Sequence, residues 1–174
     1  TPYAPQGTVP VGDNMVLVRG YPISPNTVDA LLADADYPNN PSNTEVALGY
    51  PNQPGWVTGG IGTEYSGWFR AATTGTYRFG MTYDNNEGEM WFSSDLTDAN
   101  LFETIAVDDK WQVQYANVTY YLIEDNWYRF KVFGAARNNT SNTTIYQAVD
   151  GGATVRWLDL PDDQVSSHPQ VAGA

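Results

Sequence analysis

Thr76-Tyr77-Arg78-Phe79-Gly80-Met81-Thr82-Tyr83 alternates without a break: Tyr77, Phe79, Met81 and Tyr83 fall on one side, Thr76, Arg78, Gly80 and Thr82 on the other. A period of two marks a strand with one buried face, because successive side chains of an extended chain point in opposite directions. Just upstream, Tyr65, Gly67, Phe69 and Ala71 alternate with Ser66, Trp68 and Arg70, and Thr73-Thr74-Gly75 supplies the turn between the runs. Downstream, Glu89-Met90-Trp91-Phe92 resumes the pattern, and further strands are predicted over 101–107, 113–123, 127–134, 143–148 and 153–158. In the 127–134 segment Tyr128, Phe130 and Val132 point one way, Arg129 and Lys131 the other.

Toward the N-terminus, Met15-Val16-Leu17-Val18 forms a first short strand, and Thr27–Asp34 is the one predicted helix, with Asn26 as its cap. Residues 1–13 are a Pro- and Gly-rich lead-in, and 37–55, also Pro-rich, is predicted as a long loop. About nine strands with one short helix near the N-terminus indicate an all-β fold, an antiparallel β-sandwich of jelly-roll type. One domain over residues 1–174 is expected, with a core at about 14–160 and flexible ends.

Composition narrows the function. A net charge of −12 argues against nucleic acid and against anionic membrane surfaces, and no segment approaches the roughly 18 apolar residues of a membrane span. With no cysteine and a single histidine, His168, a Cys/His zinc site is excluded and an imidazole-based triad is disfavoured. No phosphate-binding glycine loop occurs. The expectation is a binding domain rather than an enzyme. The chain starts at Thr1 with no signal-peptide pattern and is read as a piece of a longer protein.

Two loops are rich in oxygen-bearing side chains. Asp84-Asn85-Asn86-Glu87-Gly88 ends a strand, and calcium takes six to eight oxygen ligands of the kind those residues offer. The same residues are also ordinary turn formers. The segment from Arg137 to Gly152 contains Asn138, Asn139 and Asn142, then Gln147, Asp150 and the Gly151-Gly152 step. Asp108-Asp109 and Asp162-Asp163 are adjacent acidic pairs expected in surface turns. Asn117, Asn138, Asn139 and Asn142 begin Asn-X-Ser/Thr sequons. Trp91, Trp111 and Trp127 are assigned to the core rather than to sugar platforms.

The run Gly67–Phe79 and its continuation Tyr83-Asp84-Asn85-Asn86-Glu87-Gly88-Glu89-Met90-Trp91-Phe92-Ser93-Ser94-Asp95 resemble the signature of the protective-antigen-like (PA-fourteen) domain. That family occurs in a toxin component, in yeast flocculins and in bacterial adhesins. Asp36-Tyr37-Pro38-Asn39-Asn40-Pro41 and Ala153-Thr154-Val155-Arg156-Trp157 are similar to further family elements, and the resemblance covers about residues 14–160. In lectin members, two adjacent aspartates joined by a cis peptide hold calcium, a second loop completes the coordination, and sugar hydroxyls bind the metal.

The resemblance implies calcium held by Asp84, Asn85, Gln147 and Asp150, with sugar contacts from Asn86, Glu87, Asn138, Asn139 and Gly151. Asn85 departs from the usual second aspartate, and the loop is one residue longer. The implied function is a calcium-dependent lectin module of a secreted or surface adhesin, extracellular, monomeric as an isolated domain, with cell-surface glycans or simple sugars as partners. A structural or protein-binding domain on the same fold, or an accessory module of a secreted glycosidase, is the alternative.

Overall fold

The computed structural model describes residues 15–48, 61–136, 142–161 and 164–167; at 47–48, 84–86, 136 and 142 it describes the backbone. Strand β1 (Met15–Tyr21) leads into helix α1 (Val28–Leu32), then β2 (Asn43–Leu48), β3 (Ile61–Arg70), β4 (Gly75–Ser93), β5 (Leu101–Tyr115), β6 (Tyr120–Leu122), β7 (Trp127–Ala136), β8 (Asn142–Val149), β9 (Val155–Arg156) and β10 (Val165–Ser166). The pairings are antiparallel, in the order β2-β1-β3-β7-β4-β8-β9; β10 joins β3, while β5 and β6 join β4. The all-β expectation is met.

β4 makes the sandwich. Along one edge it pairs with β8 from Tyr77 to Asp84, then with β7 from Glu87 to Phe92. One 19-residue strand thus belongs to both layers, and the sheet curls over where the partner changes. Between the layers lies an aromatic core. Phe69 stacks on Trp157 (4.7 Å between centroids), Phe79 meets Phe92 (4.6 Å), and Phe130 meets Trp157 edge-on (5.1 Å). The four alternating residues Tyr77, Phe79, Met81 and Tyr83 are all buried there. Burying such rings removes about 150–250 Å² each from water, the main favourable term in this fold.

A second apolar cluster sits on the outer face of the β3–β7 layer, where Val28 and Leu31 of α1 cover Tyr21, Phe133 and Ala135. Thr27 caps α1 rather than Asn26, its hydroxyl accepting from Ala30 N at 3.1 Å. Beside this cluster Glu64 is buried and receives the Tyr37 hydroxyl (2.7 Å) and Lys131 (3.6 Å); Lys131 and Arg129 both reach Asp98. Burial alone raises the Asp98 pKa, but those two cations outweigh it and hold the carboxyl below its ordinary range.

Several predicted boundaries differ. The 37–55 loop contains β2, which among the described residues pairs with β1 at the edge of the sheet. The 113–123 strand is two pieces, the end of β5 and β6. The last predicted strand shrinks to Val155–Arg156, followed by a 3-10 turn at Trp157–Asp159 that inserts Trp157 into the core. Asp95, at the end of the family-like signature, is structural. It accepts from Thr97 N (2.8 Å), Thr97 Oγ1 (2.6 Å) and Asn100 Nδ2 (2.6 Å), and so ties the turn before β5.

Candidate functional site

Asp84–Gly88, predicted as a loop, is part of β4. Its irregularity survives as a bulge. Tyr83 pairs with Lys110 of β5 and Glu87 with Asp108, so Asp84-Asn85-Asn86 stand opposite the single residue Asp109, which has φ +48°. Met81 pairs with Gln114, so Trp111-Gln112-Val113 stand opposite the single residue Thr82. Two bulges therefore adjoin, each kinking its strand and redirecting side chains. The core-facing positions of β4 change parity across this corner: Tyr83 is buried before it, Met90 and Phe92 after it. The Tyr83 ring passes beneath Gly88 and Gly134. A Cβ on Gly88 would lie 2.5 Å from that ring, and one on Gly134 would collide with its hydroxyl.

The opposite edge of the corner pairs Asp84 with Asn142, the first residue of β8. The register thus gathers Asp84–Asn86, Asp108–Trp111 and Asn142 at one edge of the sandwich. Asp108 and Asp109, expected in a surface turn, lie in β5 beside the bulge. Trp111, expected in the core with Trp127, is instead 71% exposed; Trp127 is fully buried and Trp91 packs half-buried on Phe133. Asn138 and Asn139 lie outside the described residues, within the connection that ends at Asn142.

Four expected site residues go elsewhere. Glu87 turns away to α1, where its Oε1 accepts from Val28 N at 3.1 Å and serves an otherwise unpaired helix N–H. Gln147 pairs with Phe79, five residues from Asp84 along β4, or about 17 Å at about 3.4 Å per residue. Its side chain is buried, and its Oε1 has no hydrogen-bond partner. Asp150 lies farther still, its Oδ1 accepting from Thr76 N at 2.8 Å and its own N–H bonding Thr76 O at 2.8 Å. The register thus sets Gln147 and Asp150 apart from Asp84 and Asn85 along β4. Asp150 and Gly151 have positive φ (52° and 72°) and turn the chain at the end of β8. Gly151 borders a cavity of about 340 Å³ on the outer face there. Among the described residues no three acidic or histidine side chains converge in a way that holds a metal ion. None of the described helices is long and apolar enough to cross a membrane.

No family model matches the sequence, and no curated protein matches it. Solved structures do match in shape. The Epithelial Adhesin 9 A domain from Candida glabrata, solved with Galβ1-3GlcNAc, aligns at TM-score 0.60 and 13% identity over 100% of this chain and 99% of that one. The Epithelial Adhesin 6 A domain from the same organism, with the same glycan, aligns at TM-score 0.61 and 15% identity over 93% of this chain and 90% of that one. The PA14 domain of the MpAFP antifreeze protein aligns at TM-score 0.51 and 14% identity over 94% and 96%. The resemblance seen in residues 67–95 therefore extends to three dimensions, and the chain has the fold of PA14-type domains and epithelial-adhesin A domains.

Proposed function

We propose that this chain is a carbohydrate-binding domain serving as the recognition module of a larger surface or secreted adhesin. The observation that carries the reading is Trp111, an exposed indole set by a bulge beside a run of oxygen-bearing residues, Asp84–Asn86 and Asp108–Asp109. An indole face takes the C–H side of a pyranose, while neighbouring carboxylates and amides accept from its hydroxyls. Two proteins of the same fold, solved with Galβ1-3GlcNAc, support the ligand class. Fold likeness alone is an analogy, and the site has to bear the function.

The proposal includes calcium at this corner. Asp84 and Asn85 would hold it, with Asn142 opposite Asp84 in the register, and without Gln147, Asp150 or Glu87. The fit rests on chemistry and register: the corner offers hard oxygen donors and no sulfur or imidazole, a set suited to calcium rather than to a softer metal. Calcium bound there would act as a Lewis acid toward sugar hydroxyls. Trp111 then packs on the ring and Asn86 hydrogen-bonds to it. One such site is weak, and adhesion arises from many copies on a surface.

The test is a glycan array probed with the calcium-loaded domain, followed by titration of Galβ1-3GlcNAc with and without chelator. Saccharide binding that Trp111→Ala weakens at least tenfold supports the site. Binding that survives chelation removes calcium and leaves the lectin. An array without a hit refutes the lectin and favours a structural or protein-binding domain.

A further inference from the structure

Eight basic residues face twenty acids in this chain, so an arginine without an acidic partner stands out. Arg70, Arg129, Lys131 and Arg156 are all in ion pairs. Among the described residues Arg19, Arg78 and Lys110 make none, and of these Arg78 borders a cavity. It projects from the outer face of β4, into the cavity of about 340 Å³ at the end of the β4–β8 ladder. Arg78 and Asp84 are six residues apart, so Arg78 lies about 20 Å along β4 from the Asp84 corner.

The guanidinium is fixed in place. Its Nε donates to Ala116 O at 2.9 Å, and its carbon lies 5.2 Å from the centre of the Tyr115 ring. Tyr115 in turn rests over Gly80, where a Cβ would meet Val113 at 2.7 Å and Tyr115 at 3.2 Å, and its hydroxyl is 3.1 Å from Thr154 Oγ1. Stacking on an aromatic ring while Nε is engaged leaves the terminal nitrogens to face the cavity as a fork. Around that fork stand the hydroxyl-bearing Thr76 and Thr119 and the backbone of Gly151-Gly152. The Asp150 carboxylate accepts from Thr76 N at 2.8 Å and makes no ion pair with Arg78. The volume is at the low end of the roughly 300–1,000 Å³ typical of small-molecule sites, room for one sugar ring.

We infer that this cavity is a second, metal-independent saccharide site that takes an acidic sugar, a pyranose bearing a carboxylate. The carboxylate sits on the Arg78 fork in a charge-assisted, bidentate pair, the ring lies along Tyr115, and the threonine hydroxyls and glycine backbone meet its hydroxyls. It is independent of the calcium site proposed at the Asp84 corner.

The experiment follows the ¹⁵N–¹H spectrum of the domain during titration with sodium galacturonate, in chelator throughout so that the other site is silent. Galactose, methyl galacturonate and sodium acetate are run in parallel. The expected result is saturable shifts at the amides of Thr76, Gly151 and Gly152, at least tenfold weaker for the uncharged sugars and for acetate. Arg78→Gln should weaken galacturonate at least tenfold, with Arg78→Lys between the two. Absence of shifts at those amides, equal response to galactose, or equal response to acetate overturns the inference. So does galacturonate binding that appears only when calcium is restored.

Discussion

Glu89 provides the most direct test of the packing under α1. It is 5% exposed, on the outer side of β4, and its carboxylate accepts from Trp91 Nε1 at 2.9 Å. Its pKa is pushed up from 4.5 to about 7. Burial is the main cause; the Trp91 hydrogen bond opposes it, and the negative fields of Glu103, Glu87 and Asp29 add to the rise. A carboxyl with a raised folded pKa keeps its proton in the native state while the unfolded chain has lost it. Between pH 4.5 and 7 the native state therefore binds more protons, and stability falls as pH rises through that window. At about 1.4 kcal/mol per tenfold, the displacement corresponds to about 3 kcal/mol lost at pH 8 and nothing at pH 4.

Glu89→Gln removes the charge and keeps an oxygen for Trp91. The variant should match the parent at pH 4 within about 0.5 kcal/mol and exceed it by about 2–3 kcal/mol at pH 8. For a domain of this size that is a melting temperature about 4–12 °C higher. Urea or thermal unfolding across pH 4–8 measures it. An offset that is the same at both ends of the range, or a ¹³C titration of the Glu89 carboxyl with its midpoint near 4.5, would refute the reasoning.

Trp157→Ala should destabilise by about 3–5 kcal/mol in urea, because it removes the ring on which Phe69 stacks and against which Phe130 packs. Trp111→Ala should leave the unfolding free energy within about 0.5 kcal/mol while abolishing most glycan affinity by titration, since the indole is largely in water. Gly134→Ala should cost about 1–3 kcal/mol by collision with the Tyr83 hydroxyl and Thr63 Oγ1, and Tyr83→Phe in the same chain should recover part of it. Glu87→Ala should cost about 1 kcal/mol and speed amide exchange at Val28, whose N–H loses its acceptor.

The strands that could be recognised in the sequence are those in which one face meets the core. Tyr77, Phe79, Met81 and Tyr83 announce themselves because burial on one side imposes a period of two. β2 has no such imprint: it is an edge strand next to a Pro-rich segment, and Val46 is 44% exposed. Asp84–Gly88 has the residues of a turn, but β5 on one edge and the change from β8 to β7 on the other carry it into the ladder. Long-range pairing overrides local preference there. The same cause separates the expected metal ligands. In an antiparallel pair the residue numbers rise on one strand as they fall on the other, so a residue at the far end of β4 from its start meets the beginning of β8. Asp84 therefore faces Asn142, and Val149 faces Tyr77. Asn142 thus stands at the Asp84 corner, and Asp150 and Gly151 stand near Arg78 at the other end of the ladder. The two groups stand at opposite ends of the β4–β8 ladder, and only the register, a property of the folded pair, assigns each residue to its end.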